Sequence, residues 1–352
     1  MGEHRVTVQT LGATDVGPGS QFRRLRRRRV VRRRRIALGI VVMMTIMAVC
    51  GGLFVFRDAI WGPKFNHSGY ELSRDGKSPY IGNFVVPLED TTWGETGDDN
   101  VLVTKLHGQV VYHPVNSSWY INQMLSSYHE SNNSLYLDRA IATAKYLVKW
   151  SIRDDNGAVW FPYRFSHDVR TLRLGTPWYS GMAQGMMTSV FVNLYETTGD
   201  EYWKNMASGT VKSFDQPKVE SGPWFHNVAL LDGKKFVYYE EYPALADGQN
   251  AHVVNGHIYA LYGLYDYYRI SGDKHVRWLF DVGASSIRDS FGAYRNPGKP
   301  SWYSPTYYGR KVWESPANYH KGVINQLRTL GEITGDGEFS RQADLLHADF
   351  HA

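Results

Sequence analysis

The sequence predicts a mainly α-helical protein of the α/α-toroid class, built from about four helical hairpins. A single transmembrane helix and a short β-containing segment are predicted to precede the toroid. Three observations lead to this prediction: a turn motif recurs at nearly constant spacing, an apolar helical segment precedes each turn, and an uncharged stretch follows a run of arginines. A hydrophobic content of 43% over 352 residues is typical of a folded chain.

The recurring motif marks the turn inside each hairpin. It reads Thr198-Gly199-Asp200, Ser271-Gly272-Asp273 and Thr334-Gly335-Asp336, with Asn132-Asn133-Ser134 as a fourth copy. Glycine or asparagine adopts the left-handed conformation that ends a helix, and the following aspartate or serine caps the next one. The predicted cap positions are therefore 134, 200, 273 and 336.

Helical segments precede these turns at 119–129, 182–195, 253–270 and 319–333. In the third segment, Val254, Ile258, Leu261 and Tyr265 are spaced as one helical face. Stacked hairpins form either a solenoid or a closed toroid, and we favour the toroid because no polar capping repeat is visible.

Three long aromatic insertions separate the hairpins, at 151–181, 215–252 and 291–318. Insertions of repeat proteins gather on one face and often build the functional site.

The N-terminal region carries the basic charge. Residues 1–56 hold 11 arginines against Glu3 and Asp15, so a net charge of +5 leaves −4 for residues 57–352. This balance argues against a nucleic-acid partner. Residues 36–56 are uncharged and span about 31 Å as a helix, enough to cross a bilayer.

The arginines before this stretch orient the N-terminus to the cytoplasm and the remainder of the chain outside it. We expect a tail (1–35), an anchor (36–56), a stalk with a short β segment (57–118) and the toroid (119–352). A cleaved signal peptide is the alternative to the anchor. The location is a bacterial envelope, or the Golgi lumen if the source is eukaryotic; the oligomeric state stays open.

Several chemistries find no support in the sequence. No G-x-G-x-x-G, P-loop, G-x-S-x-G or H-E-x-x-H motif is present, and Cys50 is the only cysteine. We therefore predict neither a cofactor nor a metal. Glu240 and Glu241 are adjacent, so they cannot flank a glycosidic bond as a pair, which weakens a glycosidase interpretation.

The insertions instead suggest carbohydrate binding. Trp178 and Tyr179 belong to an aromatic set whose faces can stack on sugar rings, and nearby arginines can hold carboxylates or sulfates. Gln184 and Asn255, at predicted helix starts, are candidates for hydrogen bonds to sugar hydroxyls. The alternative for these two is a polar contact between helices.

Four blocks of sequence resemble the C-terminal domain of the D-glucuronyl C5-epimerase family. They read W-Y-S-G-M-A-Q-G (178–185), E-E-Y-P (240–243), V-N-G-H-I-Y (254–259) and N-Y-H-K-G-V-I-N-Q-L (318–327). The resemblance covers about residues 155–350 in collinear order. It implies an α/α toroid that epimerises glucuronate to iduronate at C5 within a heparosan-like or other uronate-containing polysaccharide.

The resemblance also implies site residues. It implies that tyrosines take and return the C5 proton, and it places catalytic tyrosines at Tyr242, with Glu241 beside it, and at Tyr319. For a third tyrosine we favour Tyr307, which keeps the family's Y-x-x-R spacing with Arg310. Tyr303, which better keeps the distance to Tyr319, is the alternative. Among these, Arg310 would pair with the substrate carboxylate.

Further substrate contacts are expected from Arg164, with a neighbouring acidic unit, and from Glu240. His320 is a candidate as well, although its position next to Tyr319 in a helix points its side chain elsewhere.

The chemistry explains why these residue types are needed. The C5 hydrogen is only weakly acidic, so its removal requires neutralisation of the adjacent carboxylate, a base on one face and an acid on the other. Two alternatives remain: a polysaccharide lyase that begins with the same proton abstraction, and a non-catalytic glycan-binding envelope protein.

Overall fold

The computed structural model describes residues 63–97, 99–169, 172–244, 250–305 and 315–351. Contacts divide the chain into two units, Met1–Pro63 and Lys64–Ala352. The predicted tail and anchor lie outside the described residues. Among the described helices, none is both long and apolar enough to cross a membrane. The architecture below is that of the unit Lys64–Ala352.

Eight long helices in this described part form four antiparallel hairpins, which confirms the predicted helical fold class. In chain order the helices are α1 (Pro114–Ser131), α2 (Ser134–Trp150), α3 (Gly181–Thr198), α4 (Glu201–Val211), α5 (Val254–Ser271), α6 (Lys274–Asp289), the short α7 (Phe291–Tyr294), α8 (Ala317–Thr334) and α9 (Gly337–Asp349). A 3₁₀ turn, Lys212–Asp215, follows α4.

The hairpins form two layers. Helices α1, α3, α5 and α8 pack in this order as an inner arc, and α2, α4, α6 and α9 each pack on the outside of their hairpin partner. Because the inner helices have neighbours on both sides, α3 is buried throughout from Gly181 to Leu194. Within the described residues, the first and last helices of the arc, α1 and α8, are not packed side by side along their length. Both line the cavity described below.

The predicted turn chemistry is confirmed with one correction. Gly199, Gly272 and Gly335 end their helices at φ of 69°, 65° and 69°, and Asn132 does the same at 54°. The aspartate after each glycine caps the next helix through its side chain. In the first hairpin the cap is Asn133, whose side chain accepts from the Leu135 N–H, rather than the predicted Ser134. Asn132-Asn133 therefore corresponds to Gly-Asp.

Helices α3 and α5 approach each other through glycines. A Cβ atom on Gly263 would lie 2.1 Å from the carbonyl oxygen of Gly185, and one on Gly185 would lie 2.4 Å from Ala260 Cα. No side chain fits between the two backbones here, so both positions need glycine. This close contact fixes the spacing of the two central inner helices.

The strands are short and antiparallel. β1 (Glu95–Thr96), β2 (Leu102–Leu106) and β3 (Gln109–Val111) form one sheet, which lies within the β-containing segment predicted before the helices. The first insertion contains β4 (Ile152–Arg153), β5 (Val159–Trp160), β6 (His167–Val169) and β7 (Leu172–Leu174). The second contains β8 (His226–Leu231) and β9 (Lys234–Tyr239), paired from His226 with Tyr239 to Leu231 with Lys234.

Residues 64–92, predicted as part of a stalk, lie across the helices as a strap. They form hydrogen bonds to three helices, α1, α5 and α6. The backbone N–H groups of Ser68 and Gly69 donate to Asp281 on α6, and Ser78 Oγ donates to Asp266 on α5 at 2.7 Å. The N–H groups of Gly82 and Val86 donate to Ser126 and Ser127 on α1. Residues 83–87, within the predicted β-containing segment, form no strand. The helical array thus begins at Pro114 and carries the strap as part of its packing.

Candidate functional site

A cavity of about 520 Å³ opens where the N-terminal turns of the inner helices meet the insertions. Every inner helix contributes to its wall. The lining residues are Trp93, His113, Val115, Asn116, Trp119, Tyr163, Phe165, His167, Trp178, Ser180, Met182, Glu241, Tyr242, Asn255, Tyr259, Asn318, Tyr319, Gly322 and Gln326. Because helix N-termini present unpaired backbone N–H groups and the positive end of the helix dipole, this arrangement favours an anionic group.

Glu241 is the buried carboxylate of this cavity. It lies two residues after the end of β9 and packs against the first turn of α5, where a Cβ on Gly256 would lie 2.2 Å from Oε2. Gly256 is therefore required for Glu241 to reach its position. Among the described residues, Oε2 has no hydrogen-bond partner.

Three tyrosines surround this carboxylate. Tyr242 and Tyr303 hydrogen-bond to Glu241 and to each other. Tyr319, on the first turn of α8, has its ring centroid 5.3 Å from that of Tyr303. The Tyr303 carbonyl accepts from the Val254 N–H at 3.2 Å, which ties its segment to the start of α5. Of the two candidates for the third tyrosine, Tyr303 therefore lies in the cluster, whereas Tyr307 and its partner Arg310 lie outside the described residues.

Glu241 and the three tyrosines have pKa values that favour different protonation states at neutral pH. Burial raises the pKa of Glu241 to about 7, although hydrogen bonds from Tyr242 and Tyr303 oppose the rise. Burial, followed by the nearby charge of Glu241, raises the pKa values of Tyr242, Tyr303 and Tyr319 above the ordinary tyrosine value. At neutral pH the tyrosines are hence proton donors, and Glu241 is the group able to accept a proton.

The neighbouring Glu240, a predicted substrate contact, does not line the cavity. It is buried, with Oε1 2.5 Å from His252 Nδ1 and 2.9 Å from Asn227 Nδ2, and Oε2 accepts from the His252 N–H. Burial would raise its pKa, but the charge and hydrogen bonds of His252, together with Asn227, hold it below the usual range. Glu240 thus fixes the end of β9 and the approach to α5.

Gln184 and His320 are also structural. Gln184 is fully buried: its Oε1 accepts from the Phe161 N–H at 2.9 Å, and its Nε2 donates to Val159 O and Ser213 Oγ. The His320 ring lies between the backbone of Ser301 and the carbonyl of Leu346, 2.9 and 3.1 Å away. Neither lines the cavity, so the structure does not bring these two predicted substrate contacts to it.

The aromatic and basic candidates divide in a similar way. Trp178 lines the cavity, stacked on Tyr163 at 3.9 Å, and Asn255 lines it from α5. Tyr179 instead faces a separate surface depression beside Trp224. Arg164 is exposed, bonds to the carbonyl of Trp150 and is not among the residues that line the cavity. Trp178 and Asn255 are therefore brought to the cavity, whereas Arg164 and Tyr179 do not line it.

Two histidines of the cavity were not predicted. His113 caps α1 by accepting from the Asn116 N–H, and burial lowers its pKa to about 4. His167, on β6, has its ring centroid 5.8 Å from that of Tyr242, and burial lowers its pKa against the opposing charge of Asp168. The His113-Pro114 pair was a signal for the first, since proline is common in the first helical turn.

Comparison with known proteins supports the sequence resemblance. The profile of the family described as "D-glucuronyl C5-epimerase C-terminus" matches residues 153–347. A D-glucuronyl C5-epimerase from Caenorhabditis elegans is 26% identical over 263 residues, 70% of this chain and 40% of the relative. An uncharacterized protein from Methanocaldococcus jannaschii is 24% identical over 173 residues, 48% of this chain and 54% of the relative. The chain thus spans about half, or less, of these relatives.

Solved structures also match. Cellobiose 2-epimerase from Bacillus thermoamylovorans aligns with a TM-score of 0.49 at 12% identity, covering 74% of this chain and 64% of that one. A GH76 α-mannanase from Bacteroides thetaiotaomicron gives a TM-score of 0.45 at 12% identity, covering 70% and 59%.

Proposed function

The chain belongs to the D-glucuronyl C5-epimerase C-terminal family, and from this premise we propose that it epimerises uronate units of a polysaccharide at C5. The substrate is a glucuronate unit within a heparosan-like or related glycan, and the product is iduronate. One observation carries the proposal: a buried carboxylate with a raised pKa stands at the cavity among three protonated tyrosines.

The cavity suits the carboxylate of the sugar. N-terminal turns of four helices face it, and their N–H groups and dipoles favour a negative charge. His113 and His167, neutral at pH 7 because burial lowers their pKa values, can donate hydrogen bonds there. Arg310 remains our proposed cation for the substrate carboxylate. Such contacts stabilise the enediolate that forms when the C5 proton leaves.

The proton steps follow from the pKa directions. Glu241, ionised, takes the C5 proton from one face and becomes the neutral acid. Tyr319 is 37% exposed and lines the cavity, so we assign it the proton donated to C5 from the other face. Glu241 and Tyr319 come from different elements, the end of β9 and α8, which lets them approach the ring from different directions. In the reverse reaction the two groups exchange roles.

Tyr303 and Tyr242 assist Glu241. Their hydroxyls bond to its carboxylate, and Tyr303 also adjoins Tyr319. We propose that these contacts hold Glu241 in place and stabilise its ionised form, since hydrogen bonds to a carboxylate lower its pKa. Without them, burial would keep the base protonated at neutral pH.

The location is part of the same proposal. We propose that residues 36–56 anchor the chain in a membrane and that the site faces outside the cytoplasm, as the flanking arginines predict. A protease added to intact cells or sealed vesicles should then cleave the domain only from the outer or lumenal side.

The proposed activity is tested with the full chain and a panel of uronate polymers in deuterated water. NMR follows deuterium at C5 and iduronate signals, and ultraviolet absorbance follows unsaturated uronate. Deuterium with iduronate and without absorbance establishes the epimerase. Absorbance identifies a lyase, because elimination leaves a double bond. Binding without either signal contradicts the catalytic proposal and favours a glycan-binding protein.

A further inference from the structure

The loop that carries Glu241 and Tyr242 is closed at its base by one pair of residues. Glu240 stands directly before the loop, and His252 stands at its end, two residues before the first residue of α5. The ring Nδ1 of His252 lies 2.5 Å from Glu240 Oε1, and the backbone N–H of His252 donates to Glu240 Oε2 at 3.0 Å. One residue therefore binds both oxygens of the carboxylate. Residues 245–249 of this loop lie outside the described residues.

His252 has a strained backbone conformation. Its φ is 49°, in the left-handed region that residues with a Cβ atom uncommonly adopt. Such strain persists where the surroundings determine the conformation, and it is concentrated at functional sites. The surroundings of His252 are well defined: its ring is buried and stacks on Tyr238 with centroids 4.2 Å apart, and Glu240 also accepts from Asn227 at 2.9 Å.

The backbone of Glu240 is bound as firmly as its side chain. Its N–H donates to the carbonyl of Phe225, and its carbonyl accepts from the N–H of Gly181, the first residue of α3, both at 2.8 Å. Glu241 is the next residue. Its backbone therefore begins from a position that hydrogen bonds fix through both the main chain and the side chain of Glu240.

His252 also determines where α5 begins, and two residues of its first turn contact the catalytic groups. The N–H of Val254 donates to the carbonyl of Tyr303 at 3.2 Å. Gly256 packs against the carboxylate of Glu241. A shift of His252 would therefore change both the hydrogen-bonding environment and the burial of Glu241. A misplacement of about 1 Å can reduce the rate of an enzyme about 100-fold, even when the mutated residue lies away from the chemistry.

We propose that His252 is a positioning residue for Glu241. It is not among the residues that line the cavity, and it acts by binding Glu240 and by fixing the start of α5. The inference rests on the proposed function, in which Glu241 is the base. It deepens that function by naming the residue that controls how the base is placed.

The groups that face the two glutamates differ. Glu241 is faced by tyrosines whose pKa values its charge raises: Tyr163, Tyr242, Tyr259, Tyr303 and Tyr319. The pair of Glu240 and His252 is faced by Asn227, Tyr238 and His257. Because burial is the largest cause of the raised pKa of Glu241, a looser loop would lower this pKa toward its usual value.

The test compares the wild-type full chain with His252→Gly and His252→Asn. Glycine adopts the left-handed conformation without strain, so His252→Gly removes the ring while keeping the backbone bond to Glu240. We expect kcat for deuterium exchange at C5 to fall about tenfold to 100-fold in His252→Gly, with KM nearly unchanged. The midpoint of the pH–rate profile should move below the wild-type value of about 7.

His252→Asn is the conservative variant. Asparagine tolerates the left-handed conformation and carries an amide donor that can bind Glu240, so it should retain more activity than glycine. If His252→Gly does not fold, His252→Asn is measured in the same way, with a smaller effect expected in the same direction. Wild-type kcat and midpoint in the folded variant overturn the inference.

Gln342→Ala is the matched control for a loss of stability. Gln342, on α9, is buried and donates from Nε2 to the carbonyl of Arg288 at 2.8 Å, and it is not among the residues that line the cavity. The control should lower the Tm and leave kcat and the pH midpoint unchanged. If His252→Gly shows this same pattern, its role is structural and the inference is overturned.

A measurement without turnover separates the inference from the proposed function. Denaturant unfolding at pH 5 and pH 8, with and without Glu241→Gln, reports the pKa of Glu241. In a His252→Gly background the effect of Glu241→Gln on this pH dependence should become smaller, and an unchanged effect contradicts the inference. A smaller effect without C5 exchange by the wild type supports the positioning of Glu241 and contradicts the epimerase.

Discussion

Replacing Glu241 by glutamine should make the protein's stability less dependent on pH. Burial raises the pKa of Glu241 from its usual 4.5 to about 7 in the folded protein. The folded state therefore binds more protons than the unfolded state between these values, and stability falls as pH rises through this window. At about 1.4 kcal/mol for each tenfold change in the ionisation constant, the wild type loses about 3 kcal/mol in total.

Glutamine has nearly the same shape and no charge, so this loss disappears in Glu241→Gln. Denaturant unfolding of both proteins at pH 5 and pH 8 measures the effect. The free energy of unfolding of the variant relative to the wild type should rise by about 2.5 kcal/mol between the two pH values. Histidine titrations occur in both proteins and cancel in the comparison.

Glu240→Gln is the matched control, because the adjacent glutamate has the opposite environment. His252 and Asn227 hold the pKa of Glu240 below its usual range despite burial. Its stabilising contribution is present above the unfolded pKa and is lost as pH falls through the folded one. Glu240→Gln should therefore be destabilised most at neutral pH. If both variants follow the same pH dependence, or if Glu241→Gln parallels the wild type, the reasoning about the two environments is refuted.

Three further predictions concern activity and packing. First, kcat/KM should rise with pH to a plateau, with a midpoint of about 7 set by the raised pKa of Glu241; a pH–rate profile that is flat across this midpoint contradicts Glu241 as the base. Second, Gln184→Ala should destabilise the fold by about 3 kcal/mol, because the buried groups that bond to Gln184 would lose their hydrogen-bond partner. Asn255→Ala should instead mainly raise KM. Urea unfolding and steady-state kinetics distinguish the two variants, and the reverse pattern would show the assignments to be wrong. Third, Gly263→Ala should cost about 3 kcal/mol or more, because its Cβ meets the Gly185 carbonyl; the control Gly337→Ala, with nothing within 4 Å of its Cβ, should keep the wild-type Tm, and equal Tm values for both variants would contradict the close contact.

The hairpins were predictable because their turns obey local rules. A left-handed residue followed by a capping side chain depends on a few neighbouring atoms, so the turns at Gly199, Gly272 and Gly335 could be located without tertiary information. The first cap was predicted one residue too late, because either asparagine, Asn132 or Asn133, can serve as the left-handed residue or as the cap. The strap could not be predicted in the same way, because its sequence shows no periodic pattern. Its bonds to Asp266, Asp281 and the serines of α1 each come from a separate residue.

The site was only partly predictable for a physical reason. The inner helices are buried on nearly all sides, so no polar stripe shows whether Gln184 or Asn255 faces the cavity. Adjacent residues after β9 point in opposite directions, which gives Glu240 and Glu241 opposite roles that sequence alone does not separate. His113 and His167 enter the cavity from segments far apart in the chain, and only the folded arrangement brings them to Tyr242 and Tyr163.

The most direct test of Glu241 as the catalytic base compares hydrogen exchange at C5 by the wild type and by Glu241→Gln. Both full chains are incubated in deuterated water with the polymer that the wild type binds, and NMR follows deuterium at C5 of glucuronate and iduronate units. We expect deuterium and iduronate with the wild type and neither with Glu241→Gln, while binding of the polymer is retained. Deuterium incorporated at the wild-type rate by Glu241→Gln would contradict the assignment of Glu241 as the base that removes the C5 proton.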